Sequence, residues 1–344
     1  MVSGRPLRAR HSTIRLHGNG MKPALSVVLL TTLIGAGQGL FLAYYSAEWF
    51  VMLAILAPAQ TDYSGYAAGL SFFLLAAGLV ASFFHLGHPE RAWRAAAMWR
   101  TSWLSREVIA LPVTMLLMLG YTLFKVSDYD PMVFVLGESI PITASTLVGF
   151  GAVLALCALY ICTAMIYACL KFLRQWHSPL TVLNFILMGG ASGFTLATAI
   201  SAYTRDGRFA YFVGMAIFLT LAALVSRFAS LLRNKNLRSP SSLQSAIGVH
   251  HPTIRQIAQG AMGGSFNTRA FIHSYGASVV RLARRSFLVL GFIVPVVLLQ
   301  FSSDISWMLC ASAFVLQYLG LLVERWYFFI EAEHPQNIYY QMIS

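Results

Sequence analysis

The stretch Leu180-Thr-Val-Leu-Asn-Phe-Ile-Leu-Met-Gly-Gly-Ala-Ser-Gly-Phe-Thr-Leu-Ala-Thr-Ala-Ile-Ser-Ala-Tyr203 carries no charged residue over a length that crosses a lipid bilayer. A helical span needs roughly 20 such residues. Seven other predominantly apolar runs lie along the chain: Ala24 to about Ala57, Tyr66 to Leu86, Glu107 to Val126, Ile142 to Leu170, Phe209 to Leu232, Ser286 to Phe301 and Ile305 to Ile330. The first is too long for one untilted span. It reads as a span to about Tyr45 with a helical extension beyond it, containing Glu48. Pro112 is expected to kink the third run. Gly189, Gly190 and Gly193 permit close helix packing in the fifth. The expected fold is an all-α integral membrane protein, a bundle of eight transmembrane helices. A basic arm covers residues 1–22, the membrane domain 23–331 with an extramembrane loop at 233–285, and a short tail 332–344.

Composition points the same way. Of 344 residues, 58% are hydrophobic and only 10% charged, where a soluble domain carries about a quarter. Lipid can accept that much apolar surface and a globular core cannot. The net charge of +12 would suggest nucleic acid in a soluble protein. Here the basic residues fall in loops between spans, so no nucleic-acid partner is expected. Of the 24 Lys and Arg, 21 fall on the side that carries both ends of the eight-span layout and 3 on the other. The positive-inside rule then predicts cytoplasmic termini in a bacterial inner membrane. The first twenty residues hold four Arg, two His and no acid. They read as a disordered arm, and Met21 reads as a natural start. The 233–285 loop is basic and suits an acidic partner surface or anionic lipid. Cys157, Cys162, Cys169 and Cys310 lie in apolar runs without a C-x-x-C pair, so they read as small buried hydrophobes, with no metal site expected.

The chemistry concentrates around the loop 87–106. His85-Leu-Gly-His88-Pro-Glu-Arg91 closes the second run, and Ser102-Trp103-Leu-Ser-Arg106-Glu107 opens the third. Between them Trp93, Met98 and Trp99 alternate with Arg91, Arg94 and Arg100, a pattern suited to the membrane interface. Spans joined by a short loop lie side by side, so His85 and Glu107 are candidates to share one pocket. An imidazole donates or accepts a hydrogen bond near neutral pH, and a partly desolvated carboxyl can take up protons. Such a pair suits a quinol ring, with Trp103 or Tyr66 as candidate flanking aromatics. Other readings stand beside this one. His85 also reads as a helix-end histidine satisfied by carbonyls. Glu107, with Ser105 as a possible N-cap, also reads as a first-turn carboxylate favoured by the helix dipole. A haem b between two histidines, or a purely structural anchor, are the alternatives for the whole chain. Charged residues are not expected through the bilayer centre, which argues against an ion-coupled transporter.

The eight-run layout, His85-Leu-Gly-His-Pro-Glu-Arg-Ala-Trp93, Ser102-Trp-Leu-Ser-Arg-Glu107-Val, and Leu237-Arg-Ser-Pro with the following Gln-Ser-Ala-Ile-Gly248 together resemble the dimethyl sulfoxide reductase anchor subunit family. The resemblance spans residues 21–330. It implies a subunit that holds a molybdopterin catalytic subunit and a ferredoxin-like iron–sulfur subunit at the membrane. It implies menaquinol oxidation in anaerobic respiration, without haem or cluster in this chain. It also implies that His85 and Glu107 act in quinol binding, with His88, Arg91, Trp103 and Arg106 around them. The chain departs from the family's best-known pattern at His88 and Arg106 and in the length of the 233–285 segment.

Overall fold

The computed structural model describes residues 25–59, 61–127, 129–137, 140–237, 242–254 and 275–333. The basic arm, residues 238–241 and 255–274 of the 233–285 loop, and the C-terminal tail beyond residue 333 lie outside these residues. Among the described residues, eight helices are long and apolar enough to cross a membrane: α1 (Leu25–Met52), α2 (Ser64–Phe83), α3 (Trp103–Val126), α4 (Ala144–Ala168), α5 (Pro179–Thr204), α6 (Phe209–Lys235), α7 (Ala277–Gln300) and α8 (Trp307–Ile330). The chain is therefore a multi-pass, all-α membrane protein. At 28 residues α1 is one continuous helix of about 42 Å, longer than the hydrocarbon core, with Glu48 near its far end. The face on which α1 begins and α8 ends is called the terminal face below.

The helices form two four-helix bundles. In the first, α1 packs on α2, α2 on α3, α3 on α4, and α4 back on α1. In the second, α5, α6, α7 and α8 close a similar ring. The bundles meet where α1 runs along α5, with α8 beside them. Lipid offers no hydrophobic drive between helices, so close contact must come from small residues. A side chain on Gly193 would collide with the backbone of Gly39, and one on Gly39 would collide with the backbone of Gly189. The glycines of the fifth run are thus the joint between bundles. A second joint, Gly291 against Gly320, packs α7 on α8. It coincides with a π-helical turn at Val289–Ile293.

Boundaries differ from the hydropathy reading in three places. Ile142 lies in a β-hairpin, β1 (Met132–Leu136) paired antiparallel with β2 (Ile140–Thr143), and not in the fourth span. Its residues are as apolar as those of a span, so hydropathy alone does not separate them. Helix α3 begins at Trp103, one turn before Glu107, and runs through Pro112. Helix α7 begins at Ala277, inside the segment read as extramembrane.

The far face is tied by ion pairs across the two bundles. Lys125 of α3 reaches Glu48 at 2.9 Å and Asp62 at 3.5 Å. Arg208, between α5 and α6, pairs with Asp206 at 2.7 Å and approaches Asp62 at 3.8 Å. Asp62 therefore faces a cation from each bundle. Its burial opposes ionisation, but hydrogen bonds from Ser64 and the charges of Lys125 and Arg208 prevail and hold its carboxyl below the ordinary range.

Candidate functional site

Ser102 caps α3 by accepting a hydrogen bond from the Ser105 amide, which places Glu107 one turn inside the helix, on its buried face. The Glu107 residue is 8% exposed. Its Oε1 accepts a hydrogen bond from the Thr163 hydroxyl of α4 at 2.5 Å. Among the described residues it forms no ion pair with Lys, Arg or His. A buried carboxyl with a hydroxyl partner and no cation is an uncommon arrangement, because isolated charge in a membrane protein is expensive. Such a group is able to exchange a proton without breaking an ion pair.

The other candidates sit in the turn above it. Helix α2 ends at Phe83, and His85 follows in an exposed turn, where its amide bonds the Ser82 carbonyl. Its imidazole makes no hydrogen bond among the described residues, and partial burial holds it below its ordinary pKa. No hydrogen bond or ion pair joins His85 to Glu107: the carboxyl turns toward α4, and the imidazole stays at the surface. His88 Nδ1 lies 3.1 Å from Glu90, and Arg91 lies 3.7 Å from the same carboxylate, all three exposed. Pro89–Met98 forms a 3₁₀ helix with Pro89 in its first turn. Arg106 stacks on Trp103 at 4.2 Å and donates to the carbonyls of Trp99 and Arg100 at 2.9 and 2.8 Å. It therefore splints this segment to the start of α3. Tyr66 is at the opposite end of α2, about 28 Å from His85 by helical rise, and cannot flank the same ring.

The deepest charges lie within the apolar runs Phe209 to Leu232 and Ile305 to Ile330. Arg227 of α6 and Arg325 of α8 are both buried inside the second bundle. Glu324 lies between them, 2.8 Å from Arg227 and 3.2 Å from Arg325. Arg227 also reaches Glu331 at 3.2 Å. Arg227 is far from its two acidic partners in the chain, so only folding pairs them. The visible signs in the sequence are Arg227 and the adjacent Glu324-Arg325, each inside an apolar run. Among the described residues, no three His, Cys, Asp or Glu side chains gather as metal ligands would.

Eight spans in two bundles, with the His85 turn and the Glu107 helix start on the terminal face, agree with the comparison to known families. The profile of the DMSO reductase anchor subunit matches residues 18–340. The chain belongs to the DMSO reductase anchor subunit family. It is similar to a sulfite dehydrogenase subunit of Allochromatium vinosum, with 50% identity over 327 residues that cover 94% of this chain and all of the relative. This anchor is accordingly a multi-pass membrane subunit of an oxidoreductase complex, as the motif resemblance implied. In the anchor, the family motif residues divide between a buried carboxyl on α3 and an exposed turn that roofs the same helix end.

Proposed function

We propose that this anchor exchanges two electrons and two protons between a membrane quinone and the partner subunits of a molybdoenzyme complex, at a site centred on Glu107. One observation carries the reading: a carboxyl buried at the end of the first bundle, bonded to Thr163 and, among the described residues, free of cations. In the oxidising direction a quinol loses two electrons and two protons. Glu107 takes one proton, and His85, neutral at neutral pH, holds a ring oxygen and accepts the other. Arg106 and Trp103 keep the roof in place. The electrons pass singly to a ferredoxin-like iron–sulfur subunit and from there to a molybdopterin subunit.

The roof supports a docking position for that partner. Trp93 is 71% exposed, Met98 63% and Trp99 53%, interleaved with Arg91, Arg94 and Arg100. Tryptophan, methionine and arginine are the residues enriched at protein interfaces. A 3₁₀ helix of ten residues is also longer than such helices normally persist, as expected of a segment stabilised from outside. The charge count supports a cytoplasmic position for this face and for the partner.

Two directions of flow fit the site. The family resemblance favours menaquinol oxidation. The relative from Allochromatium vinosum favours the reverse, since a dehydrogenase of sulfite releases electrons that an anchor would hand to a quinone. Purified complex separates these and tests the site together. Glu107→Gln is expected to abolish quinone-dependent turnover in either direction while activity with an artificial soluble electron carrier persists. Normal quinone turnover in Glu107→Gln would overturn the proposal. Reduction of a quinone analogue by sulfite identifies the second direction.

A further inference from the structure

We infer that the cavity between α1, α5 and α8 is a binding site for ordered water, and that this water joins the two bundles through the guanidinium of Arg325. The cavity is lined by Thr31, Thr32 and Gly35 from the first bundle and by Ser192, Leu321 and Arg325 among others from the second, with about 270 Å³ of empty space including its mouth. The Arg325 side chain is 5% exposed. Its Nε pairs with Glu324 and its Nη2 points to the Met188 sulfur at 3.2 Å, but its buried Nη1 has no hydrogen-bond partner among the described residues. A buried guanidinium nitrogen left without an acceptor is costly, and such groups are satisfied by protein or by ordered water.

The chemistry of the walls selects the guest. Arg325 only donates. Thr32 is taken up by the Val28 carbonyl at 2.9 Å and the Tyr318 hydroxyl at 3.1 Å, and the hydroxyls of Thr31 and Ser192 have given their protons to helix carbonyls, to Val27 or Val28 at 3.1 Å and to Gly189 at 3.0 Å. They retain lone pairs and can only accept. A guest must therefore accept from the guanidinium and donate to a hydroxyl. Water does both. A fully deprotonated inorganic anion meets the arginine but has no hydrogen for the oxygens opposite. Arg227 and Arg325 are already balanced by Glu324 and Glu331, so a neutral guest keeps the buried quartet neutral. Water in a polar cavity with two to four partners is the ordinary case. Because its acceptors on α1 and its donor on α8 belong to different bundles, the water serves as a bridge between them.

The test is a high-resolution cryo-electron microscopy map of the intact complex, with thermal unfolding of two variants of that complex. The proposal expects a density peak within hydrogen-bond distance of Arg325 Nη1. It also expects Ser192→Val, which fills the space with methyl groups, to lower the melting temperature and remove the peak. The isosteric Thr31→Val keeps the volume and removes an acceptor from the first bundle, which tests the bridge should the valine at 192 prevent folding. It too is expected to weaken the peak. An empty cavity, a peak that follows the anion of the buffer, or a Ser192→Val complex that melts higher, as a filled dry void would, each overturns the proposal.

Discussion

The first bundle buries Glu107 against one hydroxyl, and the second buries Glu324 between two guanidinium groups. The two residues are the same chemical group at similar burial, 8% and 1% exposed. Their surroundings give them opposite tasks. A carboxylate clamped between two cations separates two arginines that would otherwise face each other in a low-dielectric interior. A carboxyl held by a threonine changes charge without disturbing an ion pair. The second bundle therefore uses its acid to hold helices together, and the first has an acid available for proton exchange. The glycine joint between α1 and α5 lets these two environments sit side by side without sharing a charge.

The most damaging way to break this comparison is to separate the bundles. Gly193→Leu places a branched side chain where the Gly39 backbone already stands. Overpacking of this kind costs about 3 kcal/mol or more, and loss of monodisperse folded protein in detergent is the expected readout. Next comes Glu324→Gln, which strands Arg325 and leaves Arg227 with Glu331 alone. Removing one member of a buried ion pair costs roughly 3–5 kcal/mol, so thermal unfolding of the purified complex should shift strongly downward. Glu107→Gln sharpens the contrast. The amide keeps an acceptor for Thr163, so stability should change by no more than about 1 kcal/mol, while quinone turnover falls by about 100-fold or more.

His85 gives a smaller effect, and its direction depends on pH. Partial burial keeps its imidazole below the ordinary histidine value, so the ring stays neutral through neutral pH and charges only as the solution becomes more acidic. Quinone turnover of the native complex should decline on the acid side as the ring loses its accepting nitrogen. His85→Ala should lower turnover at neutral pH and flatten that acid limb, with stability changed by less than about 0.5 kcal/mol. The smallest effect belongs to the far face. The carboxyl of Asp62 is held below its ordinary range, so its stabilisation is present above the unfolded carboxylate value and is lost as pH falls through the lower folded value. Its side chain is 47% exposed, which limits the contribution to about 1 kcal/mol or less. Asp62→Asn should therefore melt slightly lower at neutral pH and converge with the native protein in strong acid.

The sequence made some of this architecture legible and hid the rest for physical reasons. Spans are readable because lipid demands uninterrupted apolar length, and all eight appear near their expected places. The hairpin strand Ile140–Thr143 escapes because Ile142 continues the apolar run of the fourth span. Gly189 and Gly193 are recognisable as packing residues, but their partners Gly35 and Gly39 are not, since the joint is a property of two helices. For the site, the loop 87–106 points to the ends of α2 and α3 between which it runs, the end at which Glu107 is buried. The carboxyl's partner does not show, because Thr163 lies 56 residues from Glu107 and looks like any hydroxyl in a span. Nor does the motif show that Glu107 faces α4 while His85 remains at the surface.

The central claim is that Glu107 is the proton-exchanging group of the first bundle. Redox-difference infrared spectroscopy of the complex in lipid tests it most directly, by recording carboxyl bands as the quinone is reduced and reoxidised. The account predicts a carboxyl band that changes with quinone redox state, disappears in Glu107→Gln and survives in His85→Ala. A redox-linked band that is unchanged in Glu107→Gln would contradict it.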